Sequence, residues 1–156
     1  MTVEIERRFL LADDSWREAA DEPLVLQQGY LSVEKERTIR VRIIGSQAWL
    51  TLKGYISDMT RSEFEYAIPL AHAQAMMADM CPFKMEKNRY RVEFEGFVYE
   101  IDEYFGDNAP LIVAEIELPS EDTEFPKPSW LGKEITADGK FTNAYLSKHP
   151  YSSWTE

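Results

Sequence analysis

The amino-acid sequence predicts a mainly β fold of the α+β class, in which short antiparallel strands are flanked by a few helices. Apolar and polar residues alternate with period two in run after run, glycines and prolines end these runs, and only short segments have a helix-forming composition. Strands of this kind, about seven or eight in number, favour a closed or nearly closed antiparallel sheet. Hydrophobicity alone also allows a two-layer sandwich.

The predicted strands follow one another with short breaks. The first carries Glu4, Glu6 and Arg8, and the later ones are Thr38–Ile43, Trp49–Lys53, Arg61–Ile68, Lys87–Phe94, Phe97–Asp102 and Leu111–Leu118. Gly54 and Pro69 end two of them, because glycine and proline are unfavourable inside strands. Gly96 is predicted to form a hairpin turn before Phe97.

Three segments are predicted to be helical. Asp14 or Ser15 can cap a helix that runs to Asp21. The stretch Leu70–Met80 is rich in alanine and methionine, which are good helix formers. A short helix is expected within Lys140–Lys148, after Gly139.

Length and composition predict one globular domain spanning residues 1–156. A hydrophobic content of 44% argues against disorder, and the net charge of -11 disfavours nucleic acid or an anionic membrane as partners. No apolar run approaches the ~18 residues of a membrane-spanning helix, and no segment resembles a signal peptide. The single cysteine and two separated histidines lack metal-ligand spacing. The expectation is a cytoplasmic protein without nucleic-acid or membrane partners.

Charged residues recur on one face of strand after strand. Because side chains alternate across a strand, Glu4, Glu6 and Arg8 share a face. The corresponding charged positions on the later strands are Arg40, Arg42, Lys53, Arg61, Glu63, Glu65, Lys87, Arg89, Arg91, Glu93, Glu100, Asp102, Glu115 and Glu117. These could be solvated faces with cross-strand ion pairs. If they instead line a barrel interior, both signs of charge together suit an anion that binds with a divalent metal, such as a polyphosphate.

The ordered set of motifs resembles the CYTH family, also called triphosphate tunnel metalloenzymes. The motifs are Glu4-Ile5-Glu6-Arg7-Arg8, Gln28-Gly29-Tyr30-Leu31, Arg40-Val41-Arg42, Leu52-Lys53-Gly54, Arg61–Tyr66, Lys87-Asn88-Arg89, Ile101-Asp102, Ala114–Glu117, Glu134-Ile135-Thr136 and Lys140–Asn143. The resemblance implies an eight-stranded antiparallel barrel, or tunnel, that holds a triphosphate and a divalent metal. Arg8 departs from the family signature, which has lysine at this position; both residues are cationic, but the guanidinium is wider.

Site roles follow from the resemblance. The residues expected to act in catalysis are Glu4, Glu6, Arg8 and Lys53. The expected phosphate ligands are Arg8, Arg40, Arg42, Lys53, Arg61, Lys87, Arg89 and Lys140. The expected ligands of Mg²⁺ or Mn²⁺ are Glu4, Glu6, Glu63, Asp102, Glu115 and Glu117.

The expected function is metal-dependent hydrolysis of inorganic tripolyphosphate. Three alternatives stay open: a class IV-type adenylate cyclase, a triphosphatase acting on thiamine triphosphate or nucleotides, and a barrel that binds polyphosphate or nucleotide without hydrolysing it. Trp49 is on the same face of its predicted strand as Lys53, where its ring could stack on the base or ring of an organic triphosphate. Apolar strand faces that point outward suggest a homodimer.

Overall fold

The computed structural model describes residues 3–154 and has nine strands and two α-helices over that range. The strands are β1 (Val3–Leu11), β2 (Leu24–Glu34), β3 (Arg37–Ile44), β4 (Gln47–Tyr55), β5 (Thr60–Ile68), β6 (Phe83–Phe94), β7 (Phe97–Tyr104), β8 (Ile112–Glu117) and β9 (Leu131–Glu134). The helices are α1 (Leu70–Asp79) and α2 (Asn143–Lys148). Short 3₁₀ turns cover Ser15–Ala19, Gly106–Asn108, Gly139–Phe141 and Tyr151–Ser153.

Eight of the strands form a closed antiparallel barrel. Their order is β5-β4-β3-β2-β6-β7-β8-β1, and pairing between β1 and β5 closes the ring. The closure involves the start of β1, where Val3, Glu4 and Ile5 pair with residues of β5. The end of β1 pairs with β9, which is the one strand outside the ring in the part of the chain that the structure describes. The predicted barrel is confirmed, and the sandwich is not observed.

All seven predicted strands are present, but the sequence did not reveal β2 or β9. The β2 sequence does not alternate, and Gly29 lies in its middle, where glycine normally weakens a strand. Close packing requires glycine here, because a Cβ at this position would lie only 2.7 Å from Met77 Sδ and 2.8 Å from Cys81 Cβ. The β9 strand has only four residues.

Two apolar clusters cover the outside of the barrel. The first joins the outer faces of β1, β6, β7 and β8 to segments that include Trp16 and Trp130. The second places Val41, Ile43 and Ala48 beneath α1, from which Ala73 is fully buried. Because the apolar residues of these strands face outward, their alternate positions must face the barrel interior.

A third apolar cluster fills one end of the barrel. Met85, Tyr104 and Val113 are buried there against Ile135 and against Leu146 of α2. The predicted helix within 140–148 is therefore present as a 3₁₀ turn followed by α2, and it docks through Leu146. The predicted helix Leu70–Met80 is confirmed as α1, whereas the segment beginning at Ser15 forms only a 3₁₀ turn.

Some outward apolar residues remain uncovered on β4 and β5. Leu52 lies opposite Phe64, and Leu50 lies opposite Tyr66. Leu52, Phe64 and Tyr66 are exposed. The homodimer stays a prediction. Within residues 3–154, neither helix is long and apolar enough to cross a membrane.

Candidate active site

The inward faces of the strands line two cavities that meet inside the barrel. One has a volume of about 650 Å³ and is bounded on one side by residues 136–149; the other has a volume of about 250 Å³. Both are lined by Glu4, Glu6, Arg40, Lys53 and Asn143. The smaller cavity is completed by Arg42, Glu63, Glu65, Arg89, Glu100, Glu115 and Glu117. Acids and bases from all parts of the sequence thus share the barrel interior.

Lys53 is the central base where the two cavities meet. Its Nζ lies 2.8 Å from Glu4 Oε1 and 3.6 Å from Glu63 Oε2. The cross-strand register produces these contacts, because Lys53 on β4 lies opposite Glu63 on β5. Burial lowers the pKa of Lys53, but Glu4 and Glu6 together outweigh this effect and the net pKa is raised. The ammonium group is therefore held in its charged form.

Arg8 and Glu115 form a buried pair on adjacent strands. Arg8 Nε lies 3.4 Å from Glu115 Oε1, and Arg89 Nη2 lies 3.7 Å from Glu115 Oε2. Arg8 also donates through Nη1 to the backbone carbonyl of Phe141, which connects the barrel to the C-terminal segment. Burial would raise the pKa of Glu115, but Arg8 and Arg89 hold it below its usual range. Glu115 is thus ionised and already paired with two guanidinium groups.

A second buried charge cluster lies in the barrel wall. Asp102 accepts from Arg89 at 2.8 and 2.9 Å and from Lys87 Nζ at 2.7 Å. Lys87 and Asp102 side chains are both 0% exposed. Burial would raise the pKa of Asp102, but Arg89 and Lys87 hold it well below its usual range. Burial also lowers the pKa of Lys87 to about 7, in spite of the adjacent carboxylate.

Several carboxylates of the smaller cavity repel one another. Burial, together with Glu115 and Glu4, raises the pKa of Glu6 well above its usual value. Burial and Glu4 also raise the pKa values of Glu63 and Glu117. The negative charges in this part of the cavity exceed what the nearby bases neutralise, so a cation would be bound favourably here.

The opposite imbalance exists around Arg42. Among residues 3–154 no carboxylate lies within ion-pair distance of Arg42, whose guanidinium donates to Gln28 Oε1 at 3.1 and 3.2 Å. Burial, followed by Arg40 and Arg89, lowers the pKa of Arg42 to about 9. Arg8 Nη2 and Arg40 Nε are buried with no hydrogen-bond partner in the described range. These groups together would favour an anion.

Most of the predicted site residues line these cavities. They are Glu4, Glu6, Arg8, Arg40, Arg42, Lys53, Arg61, Glu63, Arg89, Glu115, Glu117 and Lys140. Arg61 and Lys140 lie in the larger cavity, away from the charged centre. Lys87 and Asp102 line neither cavity, because they are enclosed in the wall and bonded to each other. Trp49 also lines neither cavity.

Sequence reasoning included Tyr30 and Asn143 in family motifs but assigned neither to the site, and both reach the cavities. Tyr30 is buried, lines the larger cavity and lies opposite Arg40 in the sheet. Its strand, β2, lacked an alternating pattern, so its inward face was hidden. Asn143 belongs to α2, and only the docking of that helix brings it to the barrel interior.

Comparison with known proteins finds similarity over nearly the whole chain. A model of the CYTH domain matches residues 2–145. An inorganic triphosphatase from Acetivibrio thermocellus is 39% identical over 157 residues, which cover 100% of both chains. Another, from Nitrosomonas europaea, is 31% identical over 149 residues, covering 93% of this chain and 97% of that protein. The crystal structure of an inorganic triphosphatase, 30% identical, superposes with a TM-score of 0.65 and covers 92% of this chain and 96% of that one.

Proposed function

The chain belongs to the CYTH domain family, and from this premise we propose that it is an inorganic triphosphatase that hydrolyses tripolyphosphate with a divalent metal. The observation that carries the proposal is the presence of two opposite charge imbalances in the same barrel interior. Arg42 lacks an anionic partner within the described range, and Glu6 and Glu117 repel their acidic neighbours. A metal-bound triphosphate supplies the missing charge of each sign.

We assign the phosphate contacts to the bases that line the cavities. Arg40, Arg42, Lys53 and Arg89 line the smaller cavity, and Arg8 lines the larger one beside Glu115. Guanidinium groups can contact phosphoryl oxygens in pairs, and Lys53 acts as a point charge. Arg61 and Lys140 are assigned to the rim, where they would contact the outer part of a bound chain.

The carboxylates of the smaller cavity fit a divalent cation that binds with substrate. We assign Glu4, Glu6, Glu63 and Glu117 as the side chains that would hold Mg²⁺ or Mn²⁺, since hard oxygen donors suit these ions. Within residues 3–154, no three potential ligand side chains already converge as a metal site. Mg²⁺ usually binds through one or two carboxylates plus substrate phosphates, so a preassembled cage is not required.

Hydrolysis needs no protein nucleophile in this proposal. A water molecule attacks the terminal phosphorus in line with the bridging oxygen of the leaving pyrophosphate, and the bases neutralise charge on the transferring phosphoryl group. A metal held by these carboxylates would supply Lewis acidity and would lower the pKa of a coordinated water. Lys53 is positioned for this role because Glu4 and Glu63 hold its ammonium group where the two cavities meet.

We assign Lys87 and Asp102 an indirect role. Both were expected to contact ligand, but their side chains are fully buried and bonded within the wall. Asp102 accepts two hydrogen bonds from Arg89 and thereby fixes the orientation of that guanidinium. They would act as positioning residues for Arg89, and Glu115 would likewise position Arg8.

The test is phosphate release from tripolyphosphate, pyrophosphate, ATP and thiamine triphosphate, each with Mg²⁺, Mn²⁺ or EDTA. We expect rapid release from tripolyphosphate that stops when EDTA removes the metal. Lys53→Ala should lower kcat/KM for tripolyphosphate by about 100-fold or more, the usual effect of losing one preorganised charge. Lys133→Ala, an exposed position outside both cavities, is the matched control and should leave activity unchanged.

Other outcomes would replace the proposal. Preferred hydrolysis of ATP or thiamine triphosphate would make the protein an organic triphosphatase, and formation of cyclic AMP from ATP would make it a cyclase. Binding of tripolyphosphate without phosphate release under any metal condition would leave a binding barrel and would refute hydrolysis.

A further inference from the structure

Asn143 is a neutral residue in an otherwise charged part of the barrel. It is the first residue of α2, and it lines both cavities at the place where they meet. The other side chains shared by the two cavities are Glu4, Glu6, Arg40 and Lys53. Leu146, one turn later in the same helix, is fully buried in the apolar end of the barrel and holds Asn143 in place.

Two donors fix the orientation of the Asn143 amide. Its Oδ1 accepts from Lys87 Nζ at 3.2 Å and from Tyr104 Oη at 2.5 Å. Asp102 lies 2.7 Å from Lys87 Nζ and favours the ammonium form, which can only donate, so the Asn143 atom that faces Lys87 is the amide oxygen. The Nδ2 group therefore points away from this pair. It donates to no acceptor among residues 3–154.

A neutral donor suits this location for an electrostatic reason. Lys87, Arg89 and Arg42 already crowd the adjacent wall, and their mutual repulsion contributes to the lowered pKa values of Lys87 and Arg42. Another cation here would increase that repulsion. An amide N–H can hydrogen-bond an anion without adding charge.

We propose that Asn143 Nδ2 donates a hydrogen bond to a phosphoryl oxygen of the bound triphosphate. This inference rests on the proposed function and adds a hydrogen-bond donor from α2 to the site. The C-terminal segment then contributes a substrate contact where the two cavities meet, in addition to Lys140 at the rim. Lys87 and Tyr104 act as positioning residues, since they hold the amide oxygen and thereby orient the donor.

The inference is tested by tripolyphosphate binding in EDTA, measured by isothermal titration calorimetry so that no turnover intervenes. Asn143→Asp keeps an oxygen acceptor for Lys87 and Tyr104 but removes the donor. Asn143→Ala removes both functions. Tyr104→Phe removes one hydrogen bond to Oδ1 and leaves Nδ2 in place. Thr142→Asp is the charge-matched control: it adds a carboxylate to the adjacent cavity-lining residue and still accepts from Tyr145 N as the helix cap.

We expect Asn143→Asp and Asn143→Ala to raise the Kd for tripolyphosphate by at least about 10-fold, the typical effect of losing one hydrogen bond to a charged ligand. Thr142→Asp should change it by less than about threefold, and Tyr104→Phe, which loosens the amide but keeps the donor, should raise it by a factor between these two. Thermal melts identify any variant that fails to fold, in which case the remaining Asn143 variant decides the result.

Two results would overturn the inference while the proposed function stands. One is wild-type binding with Asn143 variants that bind equally well. The other is a loss in Thr142→Asp as large as that in Asn143→Asp, together with normal binding by Asn143→Ala, which would assign the effect to charge alone. If the wild-type protein binds no tripolyphosphate in EDTA, the inference fails, whereas the proposed function is decided separately by phosphate release in the presence of metal.

Discussion

Lys53 and Glu4 form an ion pair inside the barrel, with Nζ 2.8 Å from Oε1. A proposed phosphate ligand and a proposed metal ligand thus neutralise each other when nothing is bound. An anion alone would separate Lys53 from Glu4 and leave the carboxylate unpaired, and a cation alone would leave the ammonium unpaired. Each ligand therefore pairs with the charge that binding of the other leaves unpaired, which lowers the free-energy cost of binding both.

This relationship predicts positive linkage between metal and tripolyphosphate. Calorimetry should show that saturating Mg²⁺ tightens binding of a non-hydrolysed triphosphate analogue by about 10-fold or more, and that the analogue tightens Mg²⁺ binding by the same factor. The effect should be smaller in Glu4→Gln, where the pair has lost its negative partner. Equal affinities with and without metal in the wild type would contradict the prediction.

Arg42 is predicted to favour function at the expense of stability. Arg42→Gln removes a guanidinium whose pKa is lowered to about 9 by burial, Arg40 and Arg89, and glutamine can still hydrogen-bond Gln28. The free energy of unfolding should stay equal or rise, while kcat/KM for tripolyphosphate falls by about 100-fold. Arg91→Gln, at an exposed position on β6, is the matched control and should retain activity. A parallel loss of stability and activity in Arg42→Gln would refute the prediction.

Substitutions of Glu117 and Glu115 should have different effects: the first should weaken metal binding, and the second should lower stability. Glu117 lies among carboxylates, and burial together with Glu4 raises its pKa. Glu117→Gln should therefore leave stability unchanged and raise the metal concentration for half-maximal activity by about 10-fold. Glu115→Gln instead deprives Arg8 and Arg89 of a buried partner, and it should cost about 3 kcal/mol of stability. Urea unfolding measures the stability of both variants, and metal titration of activity measures their metal dependence. Equal changes in the two variants would contradict the prediction.

Asp102 is predicted to make the free energy of unfolding depend on pH in the acidic range. Its pKa is held well below its usual value by Arg89 and Lys87 against the effect of burial. A carboxylate with a lowered pKa contributes stability at pH values above its unfolded pKa of about 4, and this contribution is lost as pH falls below that value. Asp102→Asn should cost about 3–5 kcal/mol at pH 7.

The difference between wild type and Asp102→Asn should narrow as pH falls from about 5 to 3. Urea unfolding at several pH values measures it, with Asp122→Asn in an exposed loop as the control. A difference that stays constant down to pH 3 would show that Asp102 contributes through packing and not through its charge.

Arg8→Lys would restore the family residue and is predicted to loosen the C-terminal segment. Arg8 reaches Glu115 through Nε and the Phe141 carbonyl through Nη1, whereas one ammonium group cannot reach both. Amide hydrogen exchange should become about 10-fold faster in 141–149, for example at Leu146 N, which donates to Thr142 O. Activity should stay within about 10-fold of wild type, since the positive charge remains. Unchanged exchange would mean that Leu146 packing alone holds the segment.

Much of the barrel could be predicted from alternation. In the strands that carry Arg40 and Arg42, or Arg89 and Arg91, every second residue is charged, so the strand and its two faces could be identified together. In β2 this reasoning failed, because Gly29 and the two glutamines break the alternating pattern. The sequence therefore did not indicate which face of the sheet Tyr30 is on. The short β9 carries too few residues for any period to be recognised.

The sequence alone determined which side chains share a strand face, because that depends only on the period of the backbone. From this it follows that Glu4, Glu6 and Arg8 point the same way. That this face lies inside a closed barrel was decided by the tertiary structure, through pairing of β1 with β5. Only the tertiary structure decided which charges face the cavity and which neutralise each other in the wall. Lys87 and Arg89 share a strand and a face, yet Arg89 borders the cavity whereas Lys87 lies beneath Asn143 and Tyr104. That distinction arises when α2 packs against the barrel end, and such a long-range contact leaves no local pattern in the sequence.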